Sequence, residues 1–241
     1  MKKYENYFGV DFDYFNELPV GWKLLPNIAI FEERIQKGYE KEDLLSVTIS
    51  KGIIRQADLE DKRDISNENK SNYKLVRKGD LAYNKMRMWQ GSVGYSKFQG
   101  IASPAYVILR PKIEINPKYY HYQFRSGFYV NYSKRASYGI CDDQLSLRYK
   151  DFKRMLSIVP PLSMQNLIVE YLDKKTEQVE KYLSAKSSLL QKIVGKRISI
   201  FSLSIQESYF ESLVYNIITG QMYPESNTAE EDHFDRINGG N

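Results

Sequence analysis

No proline stands between Pro161 and Pro224, and within that stretch apolar residues recur every seven positions. Leu172, Val179, Lys186, Ile193 and Ile200 form one series, apolar at all but Lys186. Ile168, Lys175, Tyr182, Leu189, Lys196 and Leu203 form another, interrupted by two lysines. Leu183 and Leu190 widen the stripe. Such a pattern predicts one long helix from Ser163, a candidate cap, to about residue 203. At 1.5 Å per residue it would span about 60 Å, too long for one small domain to cover. Counting matches cannot say whether the stripe meets its own domain or another helix; the length favours a partner helix, for which Ile168, Leu172, Val179, Tyr182, Leu189, Ile193 and Ile200 are the pairing candidates.

The rest of the 241-residue chain divides around this element. Residues 1–160 mix short strand-like runs with turns. Leu44–Ile49, Asp80–Gln90 and Ala105–Arg110 read as strands, bounded by glycine and proline. Residues 60–74 are polar and read as an exposed loop. Asn116-Pro117 reads as a capped helix start, with the helix running to about Ala136 and weakened by Gly127. After the long helix, Tyr209, Phe210, Leu213, Val214, Ile217 and Ile218 are apolar at helical spacing, and Thr219-Gly220 ends the run. The expected fold is α+β: a mixed α/β domain over 1–160, a coiled-coil-type helical region over 161–222 and an acidic, disordered tail over 223–241.

Charge follows the same division. The net charge of +5 splits into −4 for Glu225 to Asn241 and +9 for residues 1–224. A basic body with an acidic tail suits a polyanion, although a genome rich in Lys, Asn, Ile and Tyr codons would look similar. Cys141 is the lone cysteine, which excludes an internal disulfide and a multi-cysteine zinc site. No apolar run has transmembrane length and the start lacks an apolar leader, so a cytoplasmic protein without membrane attachment is expected.

No nucleotide-binding glycine loop, nucleophile elbow or metal constellation is present. His121 and His233 lack partners. Asp142-Asp143 are adjacent, and on a strand they would face apart. No catalytic residue and no metal site are expected.

The segment Gly79 to Gly91 carries the strongest binding signal. Read as a strand, it would place Tyr83, Lys85, Arg87 and Trp89 on one face, and Ala82, Met86 and Met88 on the other. Cations interleaved with flat aromatics suit a phosphate backbone and the bases beside it. Arg87 could address guanine; Asn84 and Gln90 could address adenine. An ordinary half-exposed strand, with aromatics covering the Lys and Arg stems, would read the same way. Lys134 and Arg135 close the Asn116 helix near Tyr132 and Tyr138, where they also complement the helix dipole.

Four segments, in order, resemble the DNA-specificity (S) subunits of type I restriction-modification systems. Leu18-Pro19-Val20-Gly21-Trp22 is similar to the family's opening Pro-x-x-Trp. Asn84 to Gly91, with Gly100 to Tyr106, resembles a block of one target-recognition subgroup. Asp151-Phe152 through Pro160-Pro161-Leu162 to Gln165, Ile168 and Tyr171-Leu172-Asp173 resembles the junction into the spacer helix. Ile218-Thr219-Gly220 resembles the closing Val-Thr-Gly. Together they cover residues 17–222. Met164 stands where the family usually has Glu, and a single set of elements replaces the usual two, which suggests a half-length form.

The resemblance implies a non-catalytic subunit that reads half of a bipartite site in double-stranded DNA. It implies adenine-methyltransferase partners carrying S-adenosylmethionine, and allows a translocase-nuclease subunit using ATP and Mg. None of these cofactors is expected on this chain. A half-length form is expected to homodimerise through the spacer helix. The alternatives are a subunit of a methyltransferase-only or type II-like system, or a helical DNA-binding oligomerisation protein unrelated to restriction.

Overall fold

The structure, a computed structural model, describes residues 3–49, 51–58, 69–139, 145–194 and 212–222. In chain order the elements are β1 (Tyr7–Gly9), β2 (Glu17–Pro19), β3 (Lys23–Pro26), α1 (Asn27–Ile30), β4 (Phe31–Glu33), β5 (Leu45–Thr48), β6 (Gly52–Arg55), β7 (Lys74–Val76), β8 (Leu81–Asn84), β9 (Val93–Tyr95), β10 (Gly100–Ala102), β11 (Tyr106–Pro111), α2 (Pro117–Arg125), α3 (Gly127–Ala136), α4 (Tyr149–Phe152), β12 (Leu156–Val159) and α5 (Leu162–Val194). Residues 212–218 form a last helix, α6. This is a mixed helix and sheet fold with a long helix, as the sequence leads one to expect.

A four-stranded antiparallel sheet, β4-β11-β8-β9, organises the body. Both of its faces are covered. Leu81, Tyr83, Val107 and Leu109 point into the core that contains α2 and α3, whereas Ala82 and Ile108 point into a second core with Leu45, Val47, Ile53, Val76 and Ala102. The period of two is intact, but neither side of the sheet is solvent. Four smaller antiparallel pairs, β1-β2, β3-β12, β5-β6 and β7-β10, surround it.

Tyrosine, so frequent in the composition, fills the larger core. Tyr83, Tyr119, Tyr120 and Tyr129 are fully buried with Phe31, Phe124 and Phe152. Their rings meet edge-on, as in Phe31–Tyr120 at 5.0 Å and Phe124–Phe152 at 5.5 Å, an arrangement that adds to simple burial. The Tyr129 hydroxyl accepts from Asn27 Nδ2 at 2.7 Å, and Ser157 Oγ donates to Asn27 Oδ1 at 2.6 Å. Burial pushes the Tyr83 hydroxyl well above its ordinary range, so it stays neutral.

Asn116 caps α2 as expected, its Oδ1 accepting from Lys118 N at 3.0 Å, with Pro117 first in the helix. The single helix expected to Ala136 is two. Ser126, at φ −64 and ψ 147, breaks the ladder, and its hydroxyl donates to the Gln123 carbonyl at 2.6 Å. The break lets Phe124 and Phe128 enter the core from separate helices.

His121 lies on α2 among Tyr95 and Tyr122, with Nδ1 buried and unpaired among the described residues. Burial, then the charges of Arg125, Lys118 and Lys97, holds its imidazole down at about 3 rather than 6.5. The unfolded chain takes up this proton below pH 6.5; the native chain does not. The histidine's contribution is therefore fully present above that pH and is lost as pH falls toward 3. Thermal unfolding should show a loss of about 2 kcal/mol between pH 8 and pH 5 that His121→Phe removes. An unchanged pH slope in the variant would contradict the assignment.

Helix α5 begins at Leu162 rather than at Ser163. Gln165 N donates to the Pro161 carbonyl at 2.9 Å, so Pro161 occupies the capping position. The Gln165 side chain locks the junction: Nε2 donates to the Pro160 carbonyl and Oε1 accepts from Asn116 N, both at 2.9 Å. Asp173, two turns on, pairs with Lys118 and accepts from the Tyr122 hydroxyl at 2.6 Å. The 33 residues of α5 extend about 50 Å.

Its apolar stripe changes partner along its length. Ile168 and Leu172, assigned above to helix pairing, are fully buried in the chain's own core. Periodicity marks a face that must be covered; it does not say by what. Beyond Asp173, Val179 and Tyr182 are only half-buried. Lys186, which interrupts the heptads, lays its Nζ over the Tyr182 ring at 5.7 Å. Leu189 and Ile193 lie in the helix, but their side chains are outside the described residues, as is all of Ile200.

The core also crosses residue 160 a second time. Leu213, Val214, Ile217 and Ile218 of α6 are buried in the same cluster as Leu18 and Trp22. Thr219 Oγ1 donates to the Tyr215 carbonyl at 2.8 Å, and Gly220, at φ +73, turns the chain against Pro19 and Trp22. The opening and closing motifs of the sequence are thus in contact. Cys141, Asp142 and Asp143, most of the 60–74 loop and the acidic tail are outside the described residues. No helix among the described residues is long and apolar enough to cross a membrane, and no group of His, Cys, Asp or Glu among them could hold a metal.

Candidate nucleic-acid interface

The strand expected over Asp80–Gln90 ends at Asn84. The Asn84 carboxamide oxygen accepts from Met86 N at 2.9 Å, and its carbonyl accepts from Arg87 N at 3.1 Å, folding the chain into a tight turn. Met88–Gln90 then forms one turn of 3₁₀ helix, closed by Gly91 at φ +77. Met88 is fully buried and pins this turn to the body.

This geometry replaces the alternating face. Tyr83 is fully buried, because β8 is sandwiched between two cores, so it cannot touch DNA. Met86, set by the strand reading on the face opposite Lys85 and Arg87 and together with Met88, is 54% exposed, whereas Met88 is fully buried. Arg87 and Gln90 are exposed; Asn84, Lys85 and Trp89 are half-buried. Trp89 is a strut rather than a free platform: its Nε1 donates to the Met86 carbonyl at 3.0 Å, and Lys134 Nζ lies 5.8 Å from its ring centre. Lys134 therefore does join this turn, from the last turn of α3. Arg135 faces elsewhere. It pairs with Asp13 at 2.7 Å and lies over the Tyr14 ring, and Asp13 raises its pKa.

A third segment reaches the same place. Leu147 N donates to the Lys85 carbonyl at 2.8 Å, and Tyr138 and Ser146 exchange backbone hydrogen bonds at 3.1 and 2.9 Å. These bonds set exposed Tyr138, Arg148 and Lys150 beside the turn. Sequence reasoning misses Arg148 and Lys150, and meets Tyr138 only as a neighbour of Lys134. Arg148-Tyr149-Lys150 sets two cations around an aromatic, and that is the signal that could have found it. The turn and its flanks expose Met86, Arg87, Gln90, Lys134, Arg148 and Lys150. Such a surface offers phosphate-seeking charges around side chains able to address base edges.

No protein-family profile matches the chain, and no curated protein does. Solved structures do. The HsdS subunit from Thermoanaerobacter tengcongensis aligns with a TM-score of 0.54 at 17% identity, over 75% of this chain and 48% of that one. A chain from a structural study of complex assembly and conformational transition in the type I R-M system aligns at 0.55 and 14%, over 76% and 53%. The chain thus spans about half the length of each. At these identities the likeness is one of fold, and it agrees with the ordered motifs: this chain has the fold of the specificity subunits of type I restriction-modification systems.

Proposed function

We propose that this chain is the non-catalytic DNA-recognition subunit of a type I restriction-modification complex. The observation that carries this reading is the exposed Lys85–Gln90 turn, held on a rigid body from which α5 projects. The body reads one half of a bipartite duplex site. The projecting part of α5 serves as spacer and as docking rod for adenine-methyltransferase subunits, which bring S-adenosylmethionine. A translocase-nuclease subunit, with ATP and Mg, would convert recognition into restriction.

One body reads one half-site, so a two-part site needs a second body. The half-buried Val179 and Tyr182, beyond the reach of the body's own core, support pairing of α5 with a second copy. A two-fold homodimer meets each half-site with the same residues and so reads a palindromic motif.

Arg87 is the side chain best placed to choose a base. Competition binding by the complex should show Arg87→Ala weakening the cognate duplex by about 1–3 kcal/mol and relaxing the choice at one base pair of each half-site. Lys85→Ala should weaken all duplexes alike. If neither variant differs from the parent, the turn is not the reading element.

A further inference from the structure

Beside the reading turn lies a cleft of about 470 Å³, lined by Ala136, Ser137, Tyr138, Arg148, Lys150 and Asp151. We propose that this cleft seats a backbone phosphate of duplex DNA, with Arg148 and Lys150 as its cationic contacts and Tyr138 against the adjoining sugar. The proposal rests on the DNA-recognition reading and gives the surface two separable parts. The turn chooses bases; the cleft holds the strand in register.

The cleft is continuous with the turn through two connections. The last turn of α3 supplies Lys134 to the Trp89 ring and, from its end, Ala136 and Ser137 to the cleft wall. On the other side, the Leu147–Lys85 backbone bond ties the opposite wall to the turn itself.

Its cations are held on firm backbone. The Arg148 carbonyl accepts from Asp151 N and Phe152 N, each at 3.0 Å. Leu147, before it, is fully buried, as is Phe152, whose ring lies 5.1 Å from that of Tyr83. Arg148 and Lys150 thus project from a segment anchored at both ends. A docked strand would not have to order it first.

The charge balance favours an anion. Asp151 and the negative end of α3 oppose one, but Arg148 and Lys150 line the cleft, while Lys134 lies over the Trp89 ring of the adjoining turn, which also carries Lys85. Tyr138, at 72% exposure, is the most exposed large apolar side chain among the described residues. Its flat, exposed ring offers the sugar an apolar surface. Elements that read base edges rely on flanking phosphate contacts to fix their register, and this cleft is a cationic surface joined to the turn.

The test compares Arg148→Gln/Lys150→Gln with the parent, each assembled with its methyltransferase. Binding is measured to a duplex carrying the methylated motif and to an unrelated duplex, across a salt series. Both affinities should fall together by about tenfold. The slope of log K against log salt should shrink by about 1, since each neutralised phosphate adds about 0.9 to it and the two cations share one phosphate. Tyr138→Ser should lower both affinities with no change in slope. Arg77→Gln/Lys78→Gln, which removes equal charge at the far end of β8, should leave the slope unchanged.

An unaltered slope in the Arg148/Lys150 variant, or an equal effect in the Arg77/Lys78 variant, would overturn the cleft assignment. So would a loss confined to the cognate duplex, since that marks base reading. A parent complex that binds both duplexes equally would overturn the recognition reading, while the slope comparison would still decide the cleft.

Discussion

Asp80→Ala should destabilise the chain by about 3–5 kcal/mol, the largest loss expected from any single side chain described above. Arg34 Nε meets Asp80 Oδ2 at 2.7 Å and Nη2 meets Oδ1 at 3.1 Å, with both side chains under 7% exposed. Asp80 Oδ2 also accepts from Arg77 N at 2.8 Å, and Arg34 Nη1 donates to Gln36 Oε1 at 2.9 Å. The pair therefore sets the turn that feeds β8 and ties it to the chain after β4. Removing the carboxylate leaves a guanidinium buried without its counter-charge, and that uncompensated charge dominates the cost. Arg34→Met/Asp80→Leu, which removes both charges, should be far less damaging than either single change. Urea unfolding of the four proteins of this cycle measures the coupling. A single-variant loss under about 1 kcal/mol, as for exposed pairs, would contradict the buried pairing.

Gly220→Ala is expected to cost about 2–4 kcal/mol through two additive causes. A Cβ at this position would stand 2.5 Å from Pro19 Cγ, 2.6 Å from Pro19 Cδ and 3.2 Å from Trp22 Cζ3. Both neighbours are rings, so neither can swing aside, and φ +73 strains any L side chain. Displacing the glycine also strains the hydrogen bonds around it: the Tyr7 hydroxyl donates to the Gly220 carbonyl at 3.2 Å, and the Tyr215 hydroxyl donates to the Tyr14 carbonyl at 3.0 Å. Thermal unfolding should drop by several degrees, with the Trp22 environment perturbed in the native fluorescence. A variant as stable as its parent would show that α6 does not hold this position.

These two sites also show where sequence reading stops. Local chemistry was legible. Asn116-Pro117 announces a capped helix because both residues act on their own backbone, and Thr219-Gly220 announces an end for the same reason. Heptad spacing likewise revealed α5. What could not be read was the identity of the partner across space. Tyr83 has a strand's alternation, but only the placement of the β5–β6 and β7–β10 pairs shows that both faces of β8 are covered. Ile168 and Leu172 carry the same signal as Val179 and Tyr182, yet the first two meet the body and the others project beyond it. Asn84 hid a turn, since its side chain bonds two residues on and stops the strand before Arg87. The site itself is assembled by contacts distant in sequence, among them Leu147 with Lys85 and Lys134 with Trp89. Its cation–aromatic chemistry was visible; its shape was not.

In the function proposed, this chain selects the DNA site for a partner enzyme. The most direct measurement expresses an adenine methyltransferase from the same genome with and without this chain in a methylation-free host, and maps modified adenines across the host DNA. With the chain present, methylation should fall on one bipartite, palindromic motif; without it, no motif should be methylated. The same motif appearing without the chain, or no defined motif appearing with it, would contradict the account.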